Sequence, residues 1–434
     1  MAAMFSRLPA PLHIAAALVF CGLATTAPAA DAPAGFRTAL FDGQSLDAFV
    51  ITGCEVAIED GVMVAKSGNG FVRTLGRYRD FVLELDYRAR QKEKYDAGIY
   101  IRAELPPEGR PWPTQYQINL KQGDELNLIR FPRARSTGLV KPNDWNHVRL
   151  TVAGTRAKME INGQPAWETD GVTAPDGYIG LQIEAPLGGQ FEFKNMTVTE
   201  PGYTSLFDGR SLAGWEGAGQ PAEKCWKVEG GLLACTGEKG PWLRSAQQYD
   251  DFNLRVEYKL KPGGNSGVFI RVPEDGNHHG DGAGIEVQVL DDAAGRYRNL
   301  KPYQYTGSLY AIVPAGQHVG REPGTWNALE INCRGTKYHV YHNGVLIVAA
   351  DETTAPELKG RLTKGYLGLQ NHSEEVWYRN LRIGPAVELP VEARPAEAKA
   401  PAAAGTAPQA DAPQPAAKQP AAKQPAQGKP LPPL

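Results

Sequence analysis

Six residues of this 434-residue chain have types and spacing that could do chemistry together: Asn265, Arg271, Glu286, Gln288, Gln370 and His372. They fall in three short runs, NSGVFIR at 265–271, GIEVQVLD at 284–291 and GYLGLQNH at 365–372. A β-strand sends successive side chains to opposite faces. On that rule Ser266, Val268, Ile270, Ile285, Val287, Val289, Leu367 and Leu369 share an apolar face. Asn265, Arg271, Glu286, Gln288, Gln370 and His372 share the other if the strands lie side by side. Such a face carries bidentate donors and acceptors for paired hydroxyls, a cation for developing negative charge, and a carboxyl and an imidazole for proton transfer. The alternative is a solvated sheet back satisfied by cross-strand pairs. Exposed sheet backs favour Lys, Thr and Glu, so a set rich in Gln, Asn, Arg and His favours a cleft. Asp291, Tyr310 and Trp377 complete the expected substrate contacts. Tyr303, Tyr305 and Trp242 could likewise stack on a sugar ring, although core packing is the commoner use of each aromatic alone. Residues 277–281 read NHHGD and could ligate a divalent metal, an alternative to a solvated loop. No other cofactor is implied.

The elements that must position these residues occur twice. LFDGQSLDAF at 40–49 returns as LFDGRSLAGW at 206–215, and DAGIYIR at 96–102 as NSGVFIR. The pairs Trp145-Asn146 and Asn162-Gly163 return as Trp326-Asn327 and Asn343-Gly344. GYIGLQ at 177–182 returns as GYLGLQ. Landmarks in unchanged order mean a duplicated domain of ordinary size. Each copy alternates apolar and polar residues over short runs separated by turns, and each carries an Asn-Gly hairpin signal. The expectation is all-β: two tandem jelly-roll sandwiches over 36–200 and 203–386. Matching the copies puts Gln117 where Glu286 stands, Asn119 at Gln288, Glu184 at His372 and Asp96 at Asn265, while Arg102 and Gln182 are retained. Both candidate proton-transfer groups change, so the second copy is the expected catalytic one.

The ends differ in character. Arg7, an apolar run over 14–23 and Ala27-Pro28-Ala29 read as a secretory leader over 1–30, with an apolar run too short to span a bilayer. Export to the periplasm or beyond is the expectation. Residues 393–434 are mostly Ala, Pro, Lys and Gln and read as a disordered tail. Lys plus Arg number 46 against 48 Asp plus Glu, and that balance carries no nucleic-acid footprint. Cys225 and Cys235 are equidistant from Gly230 in a hairpin-like stretch, which admits a disulfide as readily as two buried thiols.

FDGRSLAGW, YDDFNLRVEY, NSGVFIR, GIEVQVLD, the Asn-Gly hairpin and GLQNHSEEVWYRNLRI together make the chain resemble the bacterial 3-keto-disaccharide hydrolase family, also described as 3-keto-glucoside-1,2-lyase and 3-keto-2-hydroxy-glucal hydratase domains. Both copies carry the resemblance. It implies a concanavalin A-like jelly roll, usually exported, acting on glycosides whose C3 hydroxyl a separate dehydrogenase has oxidised. It also implies β-elimination: the ketone acidifies the C2 hydrogen, a base removes it, and the C1 substituent leaves, with water able to add back. On this face Glu286 and His372 are the expected acid–base pair, in either order, Arg271 the expected partner of the enolate, and Asn265, Gln288 and Gln370 the hydroxyl contacts; the resemblance does not assign these roles individually. The alternative class is a non-catalytic, lectin-like carbohydrate-binding tandem, since one sandwich serves both uses.

Overall fold

The computed structural model describes residues 34–187, 189–277 and 282–391. The expected leader, the tail and positions 278–281 of the metal-binding candidate lie outside the described residues. Among those described there is no α-helix; short 3-10 turns join antiparallel strands. No helix among the described residues is long and apolar enough to cross a membrane. The chain is a tandem of two jelly-roll β-sandwiches, each wrapped around its own apolar core.

The cores follow from the alternation. Phe81, Leu83, Leu85 and Tyr87 face the first core; Val268, Ile270, Ile285, Val287, Val289, Leu367 and Leu369 face the second. In the first copy one long strand, Val62–Thr74, serves both sheets: Val64 pairs with Glu192, and Val72 pairs with Leu181. The second copy divides this path into Leu232–Thr236 and Leu243–Tyr249. Gly237, at φ +78°, and Gly240-Pro241 fall in the gap, and proline cannot donate to a ladder. The second sandwich consequently has separate sheets of eight and five strands. The five-stranded sheet runs in the order Trp215–Gly217, Leu243–Tyr249, Gly365–Leu369, Asn265–Val272, Ile285–Leu290. It joins the three runs singled out in the sequence.

The repeated asparagines brace both hairpins identically. Asn162 and Asn343 each take φ +51° before a positive-φ glycine, the geometry that favours Asn-Gly. The Asn343 Nδ2 donates to Val319 O and to Asn327 Oδ1; Asn162 Nδ2 donates to Leu139 O and to Asn146 Oδ1. Between the sandwiches lies a buried ionic junction. Arg255 contacts Glu200 and lies 3.1 Å from Glu330, which also receives Arg79 at 2.6 Å. Tyr178 of the first copy donates to the Asn343 carbonyl of the second at 2.9 Å.

Cys225 and Cys235 are free and buried. The turn occupies Gly230 and Gly231 together, which sets Cys235 opposite Trp226 and not opposite Cys225. The disulfide register needs Gly230 alone at the tip, and the two-residue turn removes it.

Candidate active site

The outer face of the five-stranded sheet gathers Asn265, Glu286, Gln288 and Gln370, as the alternation requires. Phe269 pairs with Glu286 and Gly267 with Gln288 across one strand boundary; Gln370 N–H donates to Gly267 O across the other. Glycine at 267 is what lets the polar side chains meet. A Cβ there would stand 2.4 Å from Glu286 Oε1 and 3.0 Å from its Cγ and Cδ. Over that gap Gln370 Nε2 donates to Glu286 Oε1 at 2.9 Å.

Glu286 is 3% exposed, and burial pushes its carboxyl from the ordinary 4.5 to about 8, with the Gln370 hydrogen bond as a smaller opposing influence. The group is therefore mostly protonated at neutral pH. Gln370 spends its N–H on Glu286, and its Oε1 is buried without a donor, as is Asn265 Oδ1. Buried acceptors are normally satisfied. Gln370 Oε1, beside the carboxyl, and Asn265 Oδ1, farther along the same strand face, are acceptors open to a hydroxyl donor. Trp242 meets Phe269 edge-on at 5.3 Å and lies over Gly368, where a Cβ would be 2.4 Å from the indole. An aromatic wall thus borders the polar group. The sequence offered the signal for Gly267, a glycine repeated at Gly98 within a strand pattern, but not for the Trp242–Phe269 pairing.

His372 is exposed, two residues beyond Gln370, past the end of its strand. Partial desolvation holds its imidazole below the ordinary value, with Glu374 pulling the other way and Arg296 adding to the fall. Gln288 is buried and engaged internally: its Nε2 donates to Gln304 O, and its Oε1 accepts from Val289 N. Gln304 Nε2 in turn donates to Tyr310 OH, and Tyr310 N donates to Glu286 O, which fixes Tyr310 beside the Glu286 strand.

Three expected residues lie elsewhere. Arg271 takes φ +53° at a register shift between Phe269 and Val272, and the bulge ends the alternation there. Its guanidinium is wholly buried and donates to Asp250 O, Gly335 O, Tyr338 OH and Asp251, so it pins the strand to neighbouring turns and is not available to an enolate. Arg102 does the same in the first copy, at φ +42°, with Arg79 O, Gly154 O and Ala174 O. Trp377 sits in Glu375–Gly384 on the eight-stranded sheet, 5.4 Å from Lys259, away from the polar group. Asp291 accepts from Gly263 N at 2.7 Å and lines a separate cavity. Tyr305 is buried and donates to Tyr297 O. Among the described residues no cluster of His, Cys, Asp and Glu has a metal-holding arrangement.

In the first copy the equivalent face closes on itself. Tyr100 OH donates to Gln117, Gln117 Nε2 to Gln182 at 2.8 Å, and Gln182 Nε2 to Glu184 at 2.8 Å. The amide at 117 leaves no titrating group where Glu286 stands.

The family model described as the 3-keto-alpha-glucoside-1,2-lyase-like domain matches residues 36–199 and again 202–384. The chain belongs to this family. The chain is similar to a 3-keto-disaccharide hydrolase of Bacteroides thetaiotaomicron, which is 28% identical over 43% of this chain and 80% of its own length. Among solved structures, a candidate glycosyl hydrolase of Parabacteroides distasonis ATCC 8503 aligns at 23% identity and a TM-score of 0.38, over 43% of this chain and 94% of that one. A carbohydrate-binding module of Bacillus subtilis aligns at 13% identity and a TM-score of 0.29, over 39% and 94%.

Proposed function

We propose that this carbohydrate-active enzyme cleaves 3-keto glycosides by β-elimination in its second copy, with hydration of the product completing a net hydrolysis. The observation that carries the reading is the buried Glu286 carboxyl held by Gln370 Nε2, on a sheet face where the Gln370 and Asn265 amide oxygens are left without donors. Environments that push two titrating groups apart assign acid and base. Glu286, protonated near neutrality, donates its proton to the departing C1 oxygen. His372, neutral there, takes the C2 proton from the open side of the cleft. The Asn265 and Gln370 amides receive sugar hydroxyls through their open oxygens, and the Asn265 amide offers N–H to the enolate. Trp242 and Tyr310 border the ring. Family membership and the Bacteroides relative support the substrate class. The ketone requires prior oxidation by a separate sugar 3-dehydrogenase, and export brings the protein to its substrate outside the cytoplasm.

The test is product release from a 3-keto disaccharide, followed by mass, for the full chain and for Glu286→Gln and His372→Ala. Each variant should lose at least a hundredfold in kcat, the scale of a general acid or base. Unchanged turnover in both would refute the assignment; tight binding of oxidised and unoxidised glucosides without any product would establish the lectin-like reading instead.

A further inference from the structure

The second copy holds a cavity of about 160 Å³ that is lined by none of Asn265, Glu286, Gln288 and Gln370. Its polar wall includes Asp291, Asp292, His318 and Asn327; its apolar wall includes Leu260 and Leu290. Asp292 is anchored: its Oδ1 accepts from Thr306 N at 3.0 Å and from Thr306 Oγ1 at 2.8 Å. The remaining oxygen meets His318 Nδ1 at 3.3 Å, and Tyr305 meets the imidazole edge-on at 5.2 Å. These contacts fix the His318 ring and commit its Nδ1. Nδ1 bonded to a carboxylate leaves Nε2 as the ring's other hydrogen-bonding atom. The His318 and Asp292 side chains are 15% and 13% exposed, so they belong to the wall of the cavity yet can be reached from it. Asp291 uses Oδ2 on Gly263 N. A carboxylate has acceptor capacity for more than one donor, and Oδ1 keeps that capacity.

The duplication shows that the histidines at this cavity are not part of the repeated scaffold. Val319 O and Leu139 O accept the same hairpin bond, which sets His318 against Gly138. His342, directly before the Asn-Gly turn, stands against Ile161. His342 Nε2 meets Tyr258 OH at 2.8 Å, whereas the corresponding Tyr87 OH is buried without a partner. Histidines have therefore been placed beside the cavity in one copy alone.

We propose that this cavity is an ancillary sugar site, binding one unoxidised pyranose unit through a vicinal diol. Asp291 Oδ1 and His318 Nε2 accept from the hydroxyls, Asn327 borders them, and Leu260 and Leu290 cover the C–H face of the ring. Acceptors in pairs with one apolar wall are the chemistry of diol recognition, and the site needs no ketone. The site is independent of the reaction proposed above.

Titration of the full chain with methyl α-D-glucopyranoside, in a Glu286→Gln background that silences turnover, tests the site. Saturable binding should weaken about tenfold or more in Asp291→Asn and in His318→Ala, the loss expected for a hydrogen bond to a charged or oriented polar group. Gln370→Ala should leave it unchanged. Asp291→Asn keeps the side-chain volume and guards against a folding defect in the histidine variant. No saturable binding, or binding lost with Gln370→Ala and kept in Asp291→Asn, overturns the proposal. Asp291→Asn should also leave turnover of a saturating 3-keto disaccharide unchanged, so failure of this site is distinguishable from failure of the Glu286 assignment.

Discussion

Replacing Glu286 with Gln isolates the ionisation on which the proposed site depends. The unfolded carboxyl titrates near 4.5, and the buried one near 8. Below pH 4.5 both states hold the proton. Between 4.5 and 8 the unfolded chain has released a proton that the folded chain keeps, so stability falls as pH rises, at about 1.4 kcal/mol per pH unit. Above 8 both are ionised and the dependence levels off. Over the whole window the wild type should lose about 5 kcal/mol through this one group. Gln at 286 does not titrate, and the first copy shows that an amide fits: Gln117 occupies the equivalent position against Gly98 and Gln182. Denaturant unfolding of both proteins from pH 5 to 9 gives the difference directly. Glu286→Gln should gain on the wild type by about 1.4 kcal/mol per unit up to pH 8, then hold steady. Parallel curves would show a carboxyl with an ordinary pKa, and the proton-donor role would fall with it. The same ionisation should cut kcat above pH 8 in the wild type.

Other outcomes follow from contacts already described. Gly267→Ala places a methyl 2.4 Å from Glu286 Oε1 and should cost about a hundredfold in kcat/KM, because displacements near 1 Å do so. Gly98→Ala meets Gln117 and Gln182 at 2.9 Å and should leave turnover within about twofold if the second copy is catalytic. Arg271→Met strands Asp250 O and Gly335 O and should lower stability by about 3 kcal/mol or more, and Arg102→Met should do the same in the first copy, both read by chemical denaturation. Arg255→Met leaves Glu200 and Glu330 buried without their shared cation, and should destabilise the junction by about 3–5 kcal/mol.

The alternation of apolar and polar residues was enough to place Asn265, Glu286, Gln288 and Gln370 on one face, because a strand buried on one side leaves no freedom of register. It failed at Arg271 because one positive-φ residue resets the parity, and nothing in NSGVFIR marks the bulge. Trp377 failed for another reason. Its strand was legible, but a sandwich has two sheets, and local pattern does not say which sheet a strand joins. Asp291 lies one residue past Ile285–Leu290, where the chain turns and the strand rule no longer applies. The cysteine pair turned on one residue of turn length.

The duplication supplies a discriminator stronger than residue type. Arg102 and Arg271, Gly98 and Gly267, Asn162 and Asn343 recur, and each recurring member has the same scaffold task in both copies. Recurrence of Arg271 at Arg102 already argued against a role specific to one reaction. At four positions where the copies differ, the second carries a carboxyl or an imidazole that the first lacks: Glu286 for Gln117, His372 for Glu184, His318 for Gly138, His342 for Ile161; Asn265 for Asp96 and Ala328 for His147 run the other way. The hydrogen-bond pattern changes with them. The first copy's chain from Tyr100 to Glu184 satisfies every amide it passes, whereas the second ends at an open Gln370 oxygen. A closed network gains nothing from a ligand, and an open one is completed by it. The proposed chemistry of this tandem lies where the repeat is broken.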